Sequence, residues 1–283
     1  MVKECELDLS MAIEDQLRNC DCLSDLGLKT IQDHTVQLII ADLPYNMTMN
    51  EWDKSLIPID PLWVHFLRIL KDDGTIVFFA TQPFTTYLIN SNPNLFRYDI
   101  VWLKEKGTHQ YDCKKQPLRS HESLLIFTKG NAYYSPQMTK GSPYTKIRKA
   151  EKGNTTNYGK DSISEIRSES EGSRYPISVL YVPRDHANVG IHPTQKPIEL
   201  MDWIIKSFSQ KFDLIVDPTF GSASSYLSAL QLNRKYIGFE LNKEIYHLAL
   251  QRAKMFEYRG KDDFKKPSKP SKSQRNFNAL IKS

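Results

Sequence analysis

A chain of 283 residues with 40% hydrophobic and 25% charged residues has the make-up of an ordinary water-soluble globular protein, long enough to bury a sizeable core. Its longest apolar runs, such as Thr75-Ile76-Val77-Phe78-Phe79-Ala80, are strand-sized rather than membrane-spanning, and the acidic start Met1-Val2-Lys3-Glu4-Cys5-Glu6 does not read as a secretory signal. The net charge of +5 is unevenly spread: residues 1–100 carry 7 Lys/Arg against 15 Asp/Glu, while residues 101–150 and 251–283 each carry 10 against 3, a footprint suited to a polyanion such as nucleic acid.

In chain order, Val36-Gln37-Leu38-Ile39-Ile40 is the first run that reads as a buried parallel strand. From Pro61 to Leu70, apolar Leu62, Phe66, Leu67 and Leu70 mark a helix face that ends at Asp72-Asp73-Gly74. Strand-like runs follow near residues 75–80, 98–103 and 123–128. Residues 131–190 break this rhythm. They are polar and tyrosine-rich, as in Tyr133-Tyr134-Ser135-Pro136, and read either as a disordered insertion or as a recognition element. Pro197 to Phe208 is a helix with proline in its first turn. Strands near 213–217 and 235–239 alternate with helices at Ser222–Leu232 and Asn242–Met255. The Lys- and Pro-rich tail from about Lys261 is expected to be disordered. Such alternation predicts an α/β fold with a doubly wound, mostly parallel sheet. Cys20 and Cys22 have no second pair to complete a zinc site, so no metal is expected, and reduced thiols point to a soluble protein of the cytoplasm.

Two stretches carry the chemistry. Ala41-Asp42-Leu43-Pro44-Tyr45-Asn46 and Asp217-Pro218-Thr219-Phe220-Gly221-Ser222 each follow a buried strand, where open α/β sheets build ligand sites. The first offers a carboxylate, backbone carbonyls and an aromatic ring. The second offers a carboxylate and a small-residue turn that opens a helix. This inventory suits a planar, amine-bearing base beside a nucleotide-like cofactor. An exocyclic base amine is a poor nucleophile, because its lone pair is delocalised into the ring. Two acceptors for its hydrogens, the Asp42 side chain and the Leu43 carbonyl held by Pro44, would steer the nitrogen toward tetrahedral geometry. Tyr45 can stack on an extruded base. No strong general base is required, since the nitrogen sheds a proton readily once it has become cationic.

Asp42-Leu43-Pro44-Tyr45 resembles the Asp-Pro-Pro-Tyr signature of S-adenosylmethionine-dependent DNA amino-methyltransferases. Asp217-Pro218-Thr219-Phe220-Gly221-Ser222-Ala223-Ser224-Ser225 resembles the family's cofactor loop. His192-Pro193-Thr194-Gln195-Lys196-Pro197 is similar to the block that precedes the helix before that loop. Asn19-Cys20-Asp21-Cys22-Leu23 resembles the family's Gly-Asp-Cys-Leu block. With the catalytic block first and the cofactor loop last, the order is similar to the circularly permuted beta group, over roughly residues 16–258.

The resemblance implies a Rossmann-like methyltransferase. Residues 1–130 would be its catalytic part, 131–190 an inserted target-recognition region, 191–260 the cofactor-binding part and 261–283 a basic tail. Asp42, Leu43, Pro44 and Tyr45 would be catalytic, with Asp42 also near the cofactor. Asp217, Phe220, Gly221 and Ser222 would approach the methionine end of S-adenosylmethionine, and Thr194 and Lys196 its carboxylate. Asp21, with Cys22 beside it, would meet the adenine amine, and Glu240 the ribose hydroxyls. The expected partner is DNA, engaged at the nucleoid, with no membrane. A homodimer and a cognate restriction enzyme are compatible with the resemblance, and the sequence decides neither. Leu43 replaces the usual first proline, which spares a role played by a carbonyl. Ala223 replaces the usual second glycine, at a turn where alanine resists positive φ.

Taken singly, the blocks have plainer readings. Asp42-Leu43-Pro44-Tyr45 could be a turn, Asp217 a helix N-cap, Glu240 an exposed strand end and His192 a loop residue. His121-Glu122 lacks the second histidine of a metal motif. Trp102 is either a core residue or a wall of the base pocket. The preferred target is adenine, because an aspartate opens the catalytic tetrapeptide. Alternatives are the cytosine amine, a single-stranded DNA or RNA substrate, and a nucleic-acid-binding protein with a degraded cofactor site. A nicotinamide dehydrogenase is disfavoured, because no Gly-x-Gly-x-x-Gly run opens a helix.

Overall fold

The computed structural model describes residues 12–45, 57–108, 110–149, 165–184 and 195–259. Its first half holds α1 (Ile13–Gln16), β1 (Leu17–Arg18), β2 (Val36–Ala41), α2 (Ile59–Ile69), β3 (Leu70–Ala80), α3 (Phe84–Ser91), β4 (Phe96–Thr108) and β5 (Arg119–Thr128). The middle segment supplies β6 (Thr139–Lys140), β7 (Tyr144–Lys149), β8 (Glu165–Ser170), β9 (Ser173–Arg174) and β10 (Val179–Tyr181). The chain continues through α4 (Ile198–Phe208), β11 (Leu214–Asp217), α5 (Ser224–Gln231), β12 (Lys235–Phe239) and α6 (Lys243–Arg259).

Eight strands form one sheet in the order β1-β12-β11-β2-β3-β5-β4-β10. Every neighbouring pair is parallel except those made by β5, which runs against both β3 and β4. Central strand β2 is buried along its whole length. The two-residue alternation of a strand sends Leu38 and Ile40 to one face and Ile39 and Ala41 to the other. On the first face, Leu200, Ile204 and Phe208 of α4 and Tyr226 and Leu227 of α5 cover Leu38, Ile40, Val77 and Phe79. On the second, Leu62, Trp63 and Phe66 of α2 and Leu88 of α3 cover Ile39, Ile76, Phe78 and Phe127. Both faces are therefore dry, as a doubly wound sheet requires.

The middle segment is not an isolated insertion. Tyr133 N donates to Asp73 O at 2.9 Å and Ser135 N to Ser207 O at 2.8 Å, so the segment leaves the sheet pinned to the main body. β7 and β8 form an antiparallel ribbon, β6 and β9 a shorter one. β10 then rejoins the central sheet beside β4, with Val179 opposite Val101. Thr194, His192 and the tail 261–283 lie outside the described residues.

One feature of the winding positions the site. After β2 the chain crosses to α2 on one face, and after β11 to α5 on the other. Yet β2 and β11 are parallel neighbours, with Leu38 opposite Ile215 and Ile39 opposite Val216. Connections that part to opposite faces leave a crevice at the carboxyl ends of the two strands.

Candidate active site

Asp42 and Asp217 sit side by side at that crevice, one leaving β2 and the other ending β11. Thr219 Oγ1 donates to the Asp42 carbonyl at 3.0 Å and ties the two loops together. A cavity of about 400 Å³ opens over them, a size suited to a small-molecule ligand. Asp21, Cys22, Asp42, Pro44, Lys196, Asp217, Phe220, Gly221, Ser222 and Glu240 all line it. Leu43 is packed into the core beside the site instead. Tyr45 rests on Phe84, ring centroids 5.0 Å apart. Ile57, Leu241, Asn242 and Ile245 also line the cavity, and no polar motif in the sequence marked them.

The cofactor loop is built around a buried acid. Asp217 Oδ2 accepts from Ser225 Oγ at 2.6 Å and Oδ1 from Thr219 N at 3.0 Å. Ser225 Oγ also lies 2.8 Å from the Tyr236 hydroxyl. Burial pushes the Asp217 carboxyl up to about 7; the Ser225 and Thr219 bonds pull it down, while the Asp42 and Glu240 carboxylates push it further up. The turn that follows takes two left-handed residues, Gly221 at φ 53° and Ala223 at φ 60°. Ala223 thus adopts the conformation that alanine resists, and it is fully buried at the N-cap of α5. Arg252 of α6 donates to the Ser222 carbonyl at 2.7 Å and to Ser224 Oγ at 3.0 Å, bracing this turn from behind.

Glu240 follows β12. Its Oε2 accepts from Gly221 N at 3.1 Å and its Oε1 from Asn242 N at 2.8 Å. Burial raises its pKa against the pull of those backbone bonds. Asn19 Nδ2 donates to the Glu240 carbonyl at 2.8 Å, bringing the Asn19–Leu23 block to the same rim. There Asp21 Oδ1 accepts from Leu23 N at 2.9 Å, and burial pushes the Cys22 thiol up to about 12, so Cys22 serves as apolar lining.

At the Asp42 end both carboxylate oxygens have partners. Tyr45 donates its hydroxyl to Oδ1 at 2.8 Å, and Lys196 Nζ donates to Oδ2 at 2.6 Å. Lys196 Nζ also lies 3.6 Å from Glu122 Oε2 and 5.0 Å from the Phe79 ring centre. Burial alone would lower the pKa of this ammonium; the Asp42 and Glu122 carboxylates outweigh it and hold the value above the ordinary lysine range. The resemblance puts Lys196 by the cofactor, whereas its ion pair with Asp42 leaves no local pattern in the sequence. Glu122 has the sequence reading of half a metal motif, His121-Glu122, and no other. A lone acid heading the apolar strand run Ser123–Phe127 was the available signal, because a charge there needs a partner. Trp102 resolves to its packing role: it is 1% exposed and donates Nε1 to the Val182 carbonyl at 2.8 Å.

The cavity wall therefore sets the carboxyls of Asp21, Asp42, Asp217 and Glu240 against the Lys196 ammonium, an excess of acid that favours a cationic ligand. Backbone N–H groups of the Gly221 turn and the small side chains of Ser222 and Ser224 leave room for a close approach.

The sequence model of the DNA methylase family matches residues 36–251. Among sequence relatives, the Type II methyltransferase M.HpaI of Haemophilus parainfluenzae is 26% identical over 235 residues, covering 80% of this chain and 70% of the relative. The fold is similar to that of M1.HpyAVI, solved as a SAM complex, with a TM-score of 0.53, 21% identity, and 84% of this chain and 98% of that one covered. It is also similar to that of the cytosine-N4-specific PvuII DNA methyltransferase, with a TM-score of 0.55, 15% identity, and 93% and 90% covered. Since the matched residues run from β2 into α6, and so take in Asp42, Lys196, Asp217 and Glu240, this chain belongs to the DNA methylase family.

Proposed function

We propose that this DNA methyltransferase transfers a methyl group from S-adenosylmethionine to the exocyclic amine of an adenine flipped out of DNA. The observation that carries the reading is the convergence of Asp42 and Asp217 on one acid-lined cavity, the first in reach of a base and the second of a cationic cofactor. The donor set fits that cofactor. Glu240 would accept its ribose hydroxyls, Asp21 its adenine amine, and Asp217 with the Phe220–Ser222 turn would face its methionine end, joined by Lys196. When bound, S-adenosylmethionine supplies a methyl group on a cationic sulfur that departs with the bonding pair as a thioether.

The chain's own residues orient the nucleophile. Asp42 and the Leu43 carbonyl would each accept one amine hydrogen and turn the lone pair toward the cavity. Tyr45 would close on the base face while its hydroxyl keeps the Asp42 carboxylate in place. The carboxylates raise the local negative potential, which favours positive charge developing on the amine nitrogen before its proton passes to water. Residues 131–190 would read the target, with the β7–β8 ribbon of a form that a DNA major groove admits. The basic residues of 101–150, apart from buried Lys104, would hold phosphates. Among the described residues, no helix is long and apolar enough to cross a membrane. The Type II names of the relatives support a cognate restriction enzyme as partner, with action in the cytoplasm.

Sequencing modified bases in the genome of a host expressing this chain tests the function in one step. N6-methyladenine at a defined site is expected. N4-methylcytosine would move the target to cytosine, and an unmodified genome would overturn the proposal.

A further inference from the structure

Asp42 already holds one partner on each oxygen before any substrate arrives, the Tyr45 hydroxyl on one and the Lys196 ammonium on the other. Lone pairs remain on both oxygens, but the ammonium at 2.6 Å draws on the negative charge that an amine hydrogen would meet, so lengthening that bond makes Asp42 the stronger acceptor. Tyr45 can rotate its hydroxyl, whereas Lys196 is a largely buried cation, its side chain 11% exposed, for which moving toward a second buried anion avoids crossing the cavity that the ligands fill.

The structure supplies one. Glu122 heads the buried half of β5, with Oε1 paired to Lys104 of β4 and Oε2 facing Lys196. That Oε2 is buried and makes no hydrogen bond, standing 3.6 Å from the ammonium. A shift of under about 1 Å would bring Lys196 within hydrogen-bond distance of it and lengthen the bond to Asp42. Phe79, 5.0 Å from the ammonium, flanks the path without competing for the proton. Lys104 is itself anchored over Trp102, at 4.8 Å, so Glu122 is held at its far oxygen and stays put while Lys196 moves. A purely structural ion pair gains little from burial next to a ligand cavity, because desolvation offsets most of its attraction.

We infer that Glu122 is a positioning residue for methyl transfer: it gives Lys196 a second seat, so that Asp42 Oδ2 is freed for the target amine. This rests on the reading of Asp42 as the amine acceptor.

The full-length protein is assayed with labelled S-adenosylmethionine and unmethylated plasmid DNA in single turnover. Glu122→Gln is expected to lower the transfer rate about 10–100-fold, the cost of a misplaced reacting group, with cofactor affinity within about twofold of the parent. Lys196→Met provides the cycle: if Glu122 acts through Lys196, adding Glu122→Gln to that variant lowers the rate no further. Should Glu122→Gln fail to fold, Lys104→Met/Glu122→Gln removes the pair without leaving an unpaired cation and is read the same way. A parental transfer rate in a folded Glu122 variant, or losses that multiply in the cycle, would overturn the inference. Asp42→Ala, measured alongside, separates the two levels: if it also transfers at the parental rate, the reading of the site itself has failed.

Discussion

Asp217 makes the sharpest claim on pH. Its carboxyl is buried, and burial raises its pKa to about 7 from an ordinary 3.8. Between those values the folded protein keeps a proton that the unfolded chain has lost. Stability therefore falls as pH rises through this window, because the folded state binds more protons. Its contribution is intact below about pH 4 and lost by about pH 7. Each pH unit is worth about 1.4 kcal/mol, so full ionisation costs the cofactor-free fold on the order of 4 kcal/mol. Asp217→Asn removes the titration and keeps the geometry. The amide oxygen still accepts from Thr219 N, and the amide N–H donates to Ser225 Oγ, which can turn its own proton to the Tyr236 hydroxyl. Urea unfolding without cofactor, from about pH 4 to about pH 8, measures the difference between variant and parent. The two should match at the acid end, with the variant gaining stability steadily toward neutral pH. Other titrating groups cancel in the difference. A constant gap across the range would refute the claim that Asp217 is a buried, proton-retaining acid.

Asp42→Ala should lower transfer by at least about 10²–10³ with cofactor binding largely kept, as loss of one preorganised partner does; near-parental turnover would remove Asp42 from the mechanism. Glu240→Ala should weaken S-adenosylmethionine about 10–150-fold by calorimetry and leave target choice unchanged, since a bond to a charged acceptor is worth about 1.5–3 kcal/mol. Ala223→Gly should shift unfolding free energy by under about 1 kcal/mol, because relief of a left-handed alanine offsets the lost buried methyl and the greater freedom of glycine in the unfolded chain. A loss above about 2 kcal/mol in a urea titration would contradict the φ of 60° at that turn. Replacing residues 131–190 with the matching segment of a relative of different specificity should transfer the methylated sequence, read by modified-base sequencing, and unchanged specificity would assign target reading elsewhere.

The periodic parts of the fold were legible because their patterns are local. Lys235–Phe239 matches the expected strand, Val36–Ala41 runs one residue past its expected end, and α4 starts one residue after its expected start. What escaped depends on partners distant in sequence. Leu70 looked like the end of a helix face, yet it opens β3 because Val36 pairs with it. α3 went unseen because Thr85, Thr86 and Ile89 weaken a helical pattern that Leu88 and Phe84 rescue only by burial. Strand β10 has three residues, too few for any periodicity, and exists because β4 offers it an edge. The boundary expected at 131–190 therefore crosses the central sheet, since β10 lies inside that range.

The site shows the same division at the level of charge. Asp42, Asp217 and Glu240 were marked by their place at the end of a strand-like run, and Asp21 only by the resemblance; all four line one cavity. Its bases were marked less: Lys196 entered only through the resemblance, near the cofactor's carboxylate, and Lys104 lies in a strand run with no motif around it. The ion pairs of Lys196 with Asp42 and Glu122, and of Lys104 with Glu122, arise only when the fold brings that loop, β4 and β5 together. In water these four charges would be unremarkable neighbours, screened and mobile. Once buried they balance as two anions and two cations, and any ligand that draws on one must be accommodated by the others. The position of Lys196 between two carboxylates is where that accommodation is cheapest, since the ammonium exchanges one anion for another without leaving the low-dielectric interior. Residues that only redistribute charge leave no motif.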